Sequence, residues 1–176
     1  MKGINNLGNT CYFSSIMQCL LQIPQLSNYF LLKNYEGNCE FTKEYQKCVH
    51  TIWKHNETLN PHNLLKLFKK KYTQFDNRDQ HDSQEAFLCI LYILEKSLSG
   101  FITRLFYGEN TQETVCKSGN SIKKEIFNVI ILFPTKEHNH INVLLKNSQK
   151  WDGIKDYEDN EGKIWNVAAT RTIATE

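Results

Sequence analysis

The chain has 176 residues, 40% of them hydrophobic, and carries 21 Lys plus Arg against 19 Asp plus Glu for a net charge of +2. That is enough sequence for one ordinary domain with a buried core, and so even a charge balance gives no case for nucleic-acid or membrane partners. No stretch reaches the roughly 20 apolar residues of a membrane-spanning helix, and the first residues lack the apolar run of a secretory leader.

In chain order, the first informative stretch is Asn5-Asn6-Leu7-Gly8-Asn9-Thr10-Cys11-Tyr12-Phe13-Ser14-Ser15. Asn and Gly tolerate tight-turn dihedrals, so Asn5 to Asn9 predicts a sharp loop, with Asn9 or Thr10 capping the helix behind it. Phe13, Ile16, Met17, Leu20 and Leu21 fall at helical spacing, and Pro24 closes the run. Cys11 then sits at or near the first helical position, where free N–H groups and the dipole favour negative charge. It reads as a reactive cysteine or as a buried core thiol, and spacing alone does not choose. The side-chain amide of Asn6 could donate to charge developing on a carbonyl attacked by Cys11, beside the Cys11 N–H. Alternatively, Asn6 is a turn residue bonded to its own backbone.

Leu26, Tyr29, Phe30 and Leu31 predict a short helix that ends before Gly37. Phe41, Tyr45, Cys48, Val49, Ile52 and Trp53 predict an amphipathic helix with Tyr45 and Trp53 in the core, and with Glu44, Lys47 and Lys54 facing water. Asn60 reads as an N-cap and Pro61 as the first residue of a helix carrying Leu64, Leu65, Leu67 and Phe68. The cluster Lys66, Lys69, Lys70 and Lys71 and the acidic stretch Asp152, Asp156, Glu158, Asp159 and Glu161 both read as solvated surface. In Gln80-His81-Asp82-Ser83-Gln84-Glu85-Ala86-Phe87, Asp82 and Glu85 have the spacing of a capping box, ahead of a helix with Phe87, Ile90, Leu91, Leu94 and Leu98. From Ser99-Gly100 onward the pattern turns to strand. Phe101 to Tyr107 is β-prone, Phe127 to Phe133 reads as a buried strand bounded by Pro134, and Ile141 to Leu145 as a strand or short helix.

Cysteines stand at 11, 19, 39, 48, 89 and 116. With no leader visible, and Cys19, Cys48 and Cys89 inside apolar helical patterns, they are expected to stay reduced, in the cytoplasm or nucleus.

Gly3-Ile4-Asn5-Asn6-Leu7-Gly8-Asn9-Thr10-Cys11-Tyr12-Phe13-Ser14-Ser15-Ile16-Met17-Gln18-Cys19-Leu20 resembles the cysteine box of the ubiquitin-specific proteases. Residues 80–87 resemble the second box of the same family. The resemblance implies an α+β, papain-like cysteine peptidase fold, with a helical thumb over 1–100 and an incomplete β-rich fingers and palm region over 101–176. It implies hydrolysis of the ubiquitin C-terminal bond, with Cys11 as nucleophile and Asn6 as oxyanion donor. Asp82 and Glu85 would bind the basic ubiquitin tail by charge-assisted hydrogen bonds, whereas His81 occupies a position that is not catalytic in the family.

Two departures qualify it. Many members hold a structural zinc with two Cys-x-x-Cys pairs, but here Cys116-Lys117-Ser118-Gly119 offers one thiol. Four ligands are the norm, so neither metal nor cofactor is expected; His138-Asn139-His140 reads as a solvated loop. The family also takes a histidine and an Asp or Asn from a late Gly-His-Tyr box, and no histidine follows His140. The resemblance thus spans about the first half of a typical catalytic domain. Three readings follow: a deubiquitinase whose base comes from a second polypeptide or from His138 or His140; a catalytically incomplete ubiquitin-binding remnant; or a truncated product. Residues 9–98 are expected to fold alone, while the strand region beyond Phe101, with apolar edges left to cover, is expected to be irregular, swapped or partnered.

Overall fold

Apolar side chains at helical spacing resolve into six helices among the described residues before position 107: α1 Cys11–Leu20, α2 Pro24–Leu32, α3 Glu40–Trp53, α4 His62–Lys71, α5 Ser83–Ser97 and α6 Phe101–Phe106. The computed structural model describes residues 2–117, 119–137, 139–159, 162–165 and 168–175. It divides into two compact units, 1–105 and 106–176.

In the first unit the helices pool their apolar faces into one core. Phe13, Met17 and Leu20 of α1 are buried, as are Ala86, Ile90, Leu91 and Leu94 of α5, and these two helices pack together. Leu26 and Phe30 of α2, Tyr45 and Val49 of α3, and Leu64 and Phe68 of α4 complete it. Gln46 sits in this core because all its polar atoms are satisfied. Its Nε2 donates to the carbonyls of Phe30 and Lys33 at 3.1 and 3.0 Å, and its Oε1 accepts from the Tyr35 N–H at 3.1 Å, so α3 closes the C-terminus of α2. Trp53, expected in the core, is half-exposed and anchored by its indole N–H, which donates to the Leu21 carbonyl at 2.8 Å.

Several boundaries shift by local chemistry. α1 ends at Leu20, and Pro24 opens α2 as its first residue rather than merely ending α1. Pro61 is the N-cap of α4, and the Asn60 carboxamide accepts the His62 N–H at 3.1 Å from one residue further out. The larger difference is at Phe101 to Tyr107. It is the helix α6, not a strand, because Ser99 (φ 38°) and Gly100 (φ 76°) reverse the chain and drop Ile102 into the helical core. Phe101 lies against Tyr29 with ring centroids 4.6 Å apart. Tertiary packing overrides a weak β preference here.

The second unit is built on β1 Gly108–Cys116, β2 Gly119–Phe127, α7 Ile141–Ser148, β3 Asp152–Ile154, β4 Tyr157–Glu158, β5 Ile164–Trp165 and β6 Ala168–Thr175. Antiparallel pairing gives a four-stranded sheet in the order β2-β1-β6-β3, with β4 and β5 forming a separate pair. Late strand β6 thus supplies a partner for β1, from Glu109↔Thr175 to Val115↔Ala169. Among the described residues of this unit only Thr114 and Leu144 are buried. Cross-strand polar contacts carry the sheet instead. Arg171 donates to the Glu113 carboxylate from Nε and from its terminal nitrogen, each at 2.7 Å, and its guanidinium lies 4.8 Å from the Trp151 ring. Phe127 to Phe133 is not a buried strand. The β1–β2 ladder ends at Gly108↔Phe127, residues 128–133 pair with no described strand, and Ile130, Ile131 and Phe133 are exposed. A continuous apolar run carries no periodicity to separate strand from irregular chain. Ile141 to Leu145 belongs to the helix α7.

Tyr45 is fully buried, its hydroxyl has no hydrogen-bond partner among the described residues, and burial pushes its ionisation well above the ordinary phenol range. An unsatisfied buried hydroxyl costs about 1–3 kcal/mol. Tyr45→Phe should therefore raise the urea midpoint, by an amount equivalent to about 1 kcal/mol. A lowered midpoint would show that the hydroxyl has a partner, such as a buried water.

Candidate active site

The loop before α1 is pinned at its start by backbone. Asn5 N–H donates to the Leu59 carbonyl at 2.9 Å, and Leu59 N–H donates to the Gly3 carbonyl at 3.0 Å. Between these pins and the helix, Gly8 (φ 86°) and Asn9 (φ 44°) take consecutive left-handed conformations, as the Asn-Gly content predicts. Thr10, almost wholly buried, organises the turn from within. Its Oγ1 accepts the Leu7 N–H at 3.1 Å and donates to the Asn6 Oδ1 at 3.0 Å. Thr10 is the N-cap by position, yet its hydroxyl makes no capping bond to the helix. Its carbonyl takes the Phe13 and Ser14 N–H groups, at 3.1 and 2.9 Å. The N–H groups of Cys11 and Tyr12 are left without an acceptor among the described residues.

Asn6 is both of the things its sequence context offered. Its Oδ1 accepts from the Gly8 N–H at 3.2 Å and from the Thr10 hydroxyl, which makes it a turn residue. That anchoring fixes the amide plane and leaves the Nδ2 donors unused among the described residues. Cys11 is the first residue of α1 and is exposed. An exposed thiol, an orphan N–H on the same residue and an oriented amide five residues earlier are the parts that nucleophilic attack on a carbonyl requires.

Asp82 is the N-cap of α5, with its Oδ1 accepting the Gln84 N–H at 2.6 Å, and Glu85 follows in the first turn. Both carboxylates are exposed. This second motif meets the first through the neighbours of its acidic residues. His81 packs against Tyr12 with centroids 5.1 Å apart and against Phe75 at 4.9 Å, and its Nε2 lies 2.7 Å from Asn77 Oδ1. His81 is thus a packing residue beside the nucleophile, and no hydrogen bond joins it to Cys11. Among the described residues no histidine hydrogen-bonds to Cys11. His140 lies in the second unit, where its Nδ1 accepts the Asn142 N–H at the start of α7. His138 falls outside the described residues. Cys116 ends β1, and among the described residues no group of three His, Cys, Asp or Glu converges as a metal site.

The family model described as ubiquitin carboxyl-terminal hydrolase matches residues 2–165. The chain belongs to that family. It is 33% identical over 112 residues to ubiquitin carboxyl-terminal hydrolase 7 of Arabidopsis thaliana, covering 54% of this chain and 23% of that protein. It is 28% identical over 114 residues to ubiquitin carboxyl-terminal hydrolase 2 of Bos taurus, covering 59% and 19%. The chain therefore spans about a quarter or less of the curated relatives it matches. Among solved structures, the SAGA Ubp8/Sgf11/Sus1/Sgf73 DUB module bound to ubiquitin aldehyde aligns with a TM-score of 0.78 at 21% identity, over 99% of this chain and 44% of that one. The same module bound to monoubiquitin gives 0.79, over 99% and 45%. These likenesses establish the α+β, papain-like fold of the ubiquitin carboxyl-terminal hydrolases, with a helical region followed by a small, unclosed sheet.

Two features of the first unit of this hydrolase-family chain were not read from sequence. One is the use of Thr10 as the internal brace of the loop, where capping preference pointed to the helix instead. The other is Cys39, at the N-cap of α3. Burial raises its thiol, but hydrogen bonds from the Ser97 and Thr42 side chains and the Thr42 and Phe41 backbone outweigh that and bring it below the ordinary range. Cys48 is the opposite case, since burial pushes its thiol up to about 12.

With a small alkylating agent at neutral pH, the exposed Cys11 and Cys19 and the partly accessible Cys39 should label in the folded protein, and Cys48 only after unfolding, as read by peptide mass mapping. Thr10→Val removes both loop bonds and should destabilise the chain by about 1–3 kcal/mol while changing the Cys11 labelling rate. Thr10→Ser should restore both. An unchanged Cys11 rate in Thr10→Val would show that the brace does not position the thiol.

Proposed function

We propose that this chain recognises the C-terminal tail of ubiquitin and presents Cys11 to its terminal carbonyl, without itself supplying the base that turnover needs. One observation carries the reading. Cys11 stands exposed at the start of α1 beside an orphan N–H and an anchored Asn6 amide, yet has no hydrogen-bonded histidine among the described residues.

In this reading Asp82 and Glu85 take the arginines of the ubiquitin tail by charge-assisted hydrogen bonds. The Cys11 sulfur then adds to the carbonyl carbon of the terminal glycine, and the oxygen gains negative charge opposite the Cys11 N–H and Asn6 Nδ2. Collapse of that adduct expels the leaving amine only if something protonates it, and water must later be deprotonated to cleave the thioester. Among the described residues, neither proton transfer has a donor or acceptor hydrogen-bonded to Cys11. The chain by itself therefore acts as a ubiquitin-binding, catalytically incomplete member of its family. Full hydrolysis is the second reading, favoured by the complete nucleophile loop, and it requires a base contributed by another polypeptide. The similarity to Ubp8, solved together with Sgf11, Sus1, Sgf73 and ubiquitin, supports ubiquitin and a further polypeptide as partner classes. A cytoplasmic or nuclear setting, where cysteines stay reduced, is part of this proposal.

The test is intact-mass analysis after incubation with ubiquitin bearing a C-terminal electrophile, alongside hydrolysis of a fluorogenic ubiquitin amide. We expect one adduct, absent in Cys11→Ser and weakened by Asp82→Ala with Glu85→Ala, and no multiple turnover. Because Cys19 is also exposed and Cys39 partly accessible, peptide mapping must place the adduct on Cys11. A folded sample that forms no adduct and binds no ubiquitin overturns the proposal, and steady turnover by the chain alone replaces it with the hydrolase reading.

A further inference from the structure

A cleft of about 620 Å³ lies between α4, the segment after it and the nucleophile loop, with Leu7, Leu65, Lys66, Lys70, Asp76 and Arg78 in its lining. Its volume is in the range of ligand-binding clefts, about 300–1,000 Å³. Lys66 and Lys70 stand four residues apart on α4, so the helix stacks them on one face. Both are exposed, as is Arg78. None of these three side chains has an ion pair or hydrogen bond among the described residues. Lys69, also in the lining, is committed, because its Nζ donates to the Asn77 carbonyl at 3.1 Å. Asp76 is the sole carboxylate in the lining. Glu40 and Glu44 border the adjoining groove on the other side of Lys66 and Lys70, and Glu44 is already paired with Lys47 at 2.7 Å.

We propose that this cleft is a binding site for an acidic peptide segment. Three uncommitted cations against one carboxylate leave a local positive excess in a chain whose overall balance is nearly even, which is what steers and holds an anionic partner. The apolar part of the lining selects a peptide over a bare anion. Leu7 is 40% exposed and lies in the same cleft as Leu65, so the ligand that covers both kinds of surface carries carboxylates and an apolar side chain together. The site is tied to the nucleophile loop, because Asn9 Nδ2 donates to the Arg78 carbonyl at 2.8 Å. A peptide seated there lies beside the loop that sets Cys11.

The experiment measures fluorescence anisotropy of a short labelled peptide alternating aspartate and leucine, titrated with the Cys11→Ser chain so that the outcome is independent of any chemistry at Cys11. A peptide alternating asparagine and leucine and inorganic phosphate serve as competitors. We expect binding that weakens with added salt, that falls about tenfold or more in Lys66→Glu with Lys70→Glu, and that falls also in Arg78→Ala, which lies outside any helix. The matched reversal Lys136→Glu with Lys155→Glu, on exposed residues of the other unit, should leave it unchanged, with circular dichroism confirming the fold of each variant. Equal affinity for the asparagine peptide, equal loss in the two double variants, or phosphate binding as tightly as the acidic peptide would each overturn the assignment.

Discussion

Much of the first unit hangs on one layer of rings beneath the nucleophile. Phe13 meets Phe68 at 5.2 Å, Phe68 meets Phe75 at 4.9 Å, and Phe75 meets both Tyr12 at 5.5 Å and His81 at 4.9 Å. Tyr12 and Phe13 are the two residues after Cys11, Phe68 belongs to α4, Phe75 to the turn after it, and His81 to the approach to α5. Rings at these separations contribute about 0.5–1.5 kcal/mol per pair beyond their burial, and here they also fix the azimuth of the first turn of α1. The thiol cannot rotate away without pulling Tyr12 and Phe13 out of that layer. Tyr12 shows how closely the layer lies to charge, since its phenol is raised first by burial, then by Asp76 and by Cys11 itself.

The layer also explains why the two sequence motifs lie at one place although about 70 residues separate them. Among the described residues, neither Asp82 nor Glu85 contacts the Cys11 loop through a hydrogen bond. What joins them is His81, one residue ahead of the cap, lying against Tyr12, one residue behind the cysteine. A second link, from Asn9 to the Arg78 backbone, ties the same two segments on the exposed side. Packing below and a hydrogen bond above set the spacing between nucleophile and acidic residues, so the scaffold is rigid where chemistry would need it.

The helical unit was largely legible in the sequence because its information is local. A period of 3.6 with Pro and Asn punctuation located α1 to α5, and the Asn-Gly loop announced its own left-handed residues. What could not be read was decided by contacts distant in sequence. Phe101 to Phe106 is a helix because Ile102 finds the core of the first unit. Residues 128–133 are not a strand because no strand lies beside them. The sheet closes as far as it does because β6, from the last residues of the chain, pairs with β1, and nothing in the composition of Ala168 to Thr175 fixes that register. In the site, Asn6 and Cys11 were visible as types at a spacing, whereas the brace by Thr10 was not, since capping statistics pointed its hydroxyl toward the helix rather than back into the loop.

The division of labour in the site follows from the same contrast. An oxyanion hole can be built from contiguous chain, because a helix start leaves N–H groups orphaned and a nearby amide need only be anchored by its own turn. A general base cannot be built that way here. It must lie within about 2.6–3.2 Å of the sulfur, and the residues next to Cys11 in sequence are committed to the aromatic layer or to the helix. A base therefore has to come from a distant segment or another chain. A fold unit that completes only the local half of such machinery offers donors to a carbonyl oxygen, while returning a proton to a departing amine calls for a group brought from elsewhere. In the proposed function, recognition and capture separate from turnover because one rests on local backbone geometry and the other on a long-range contact.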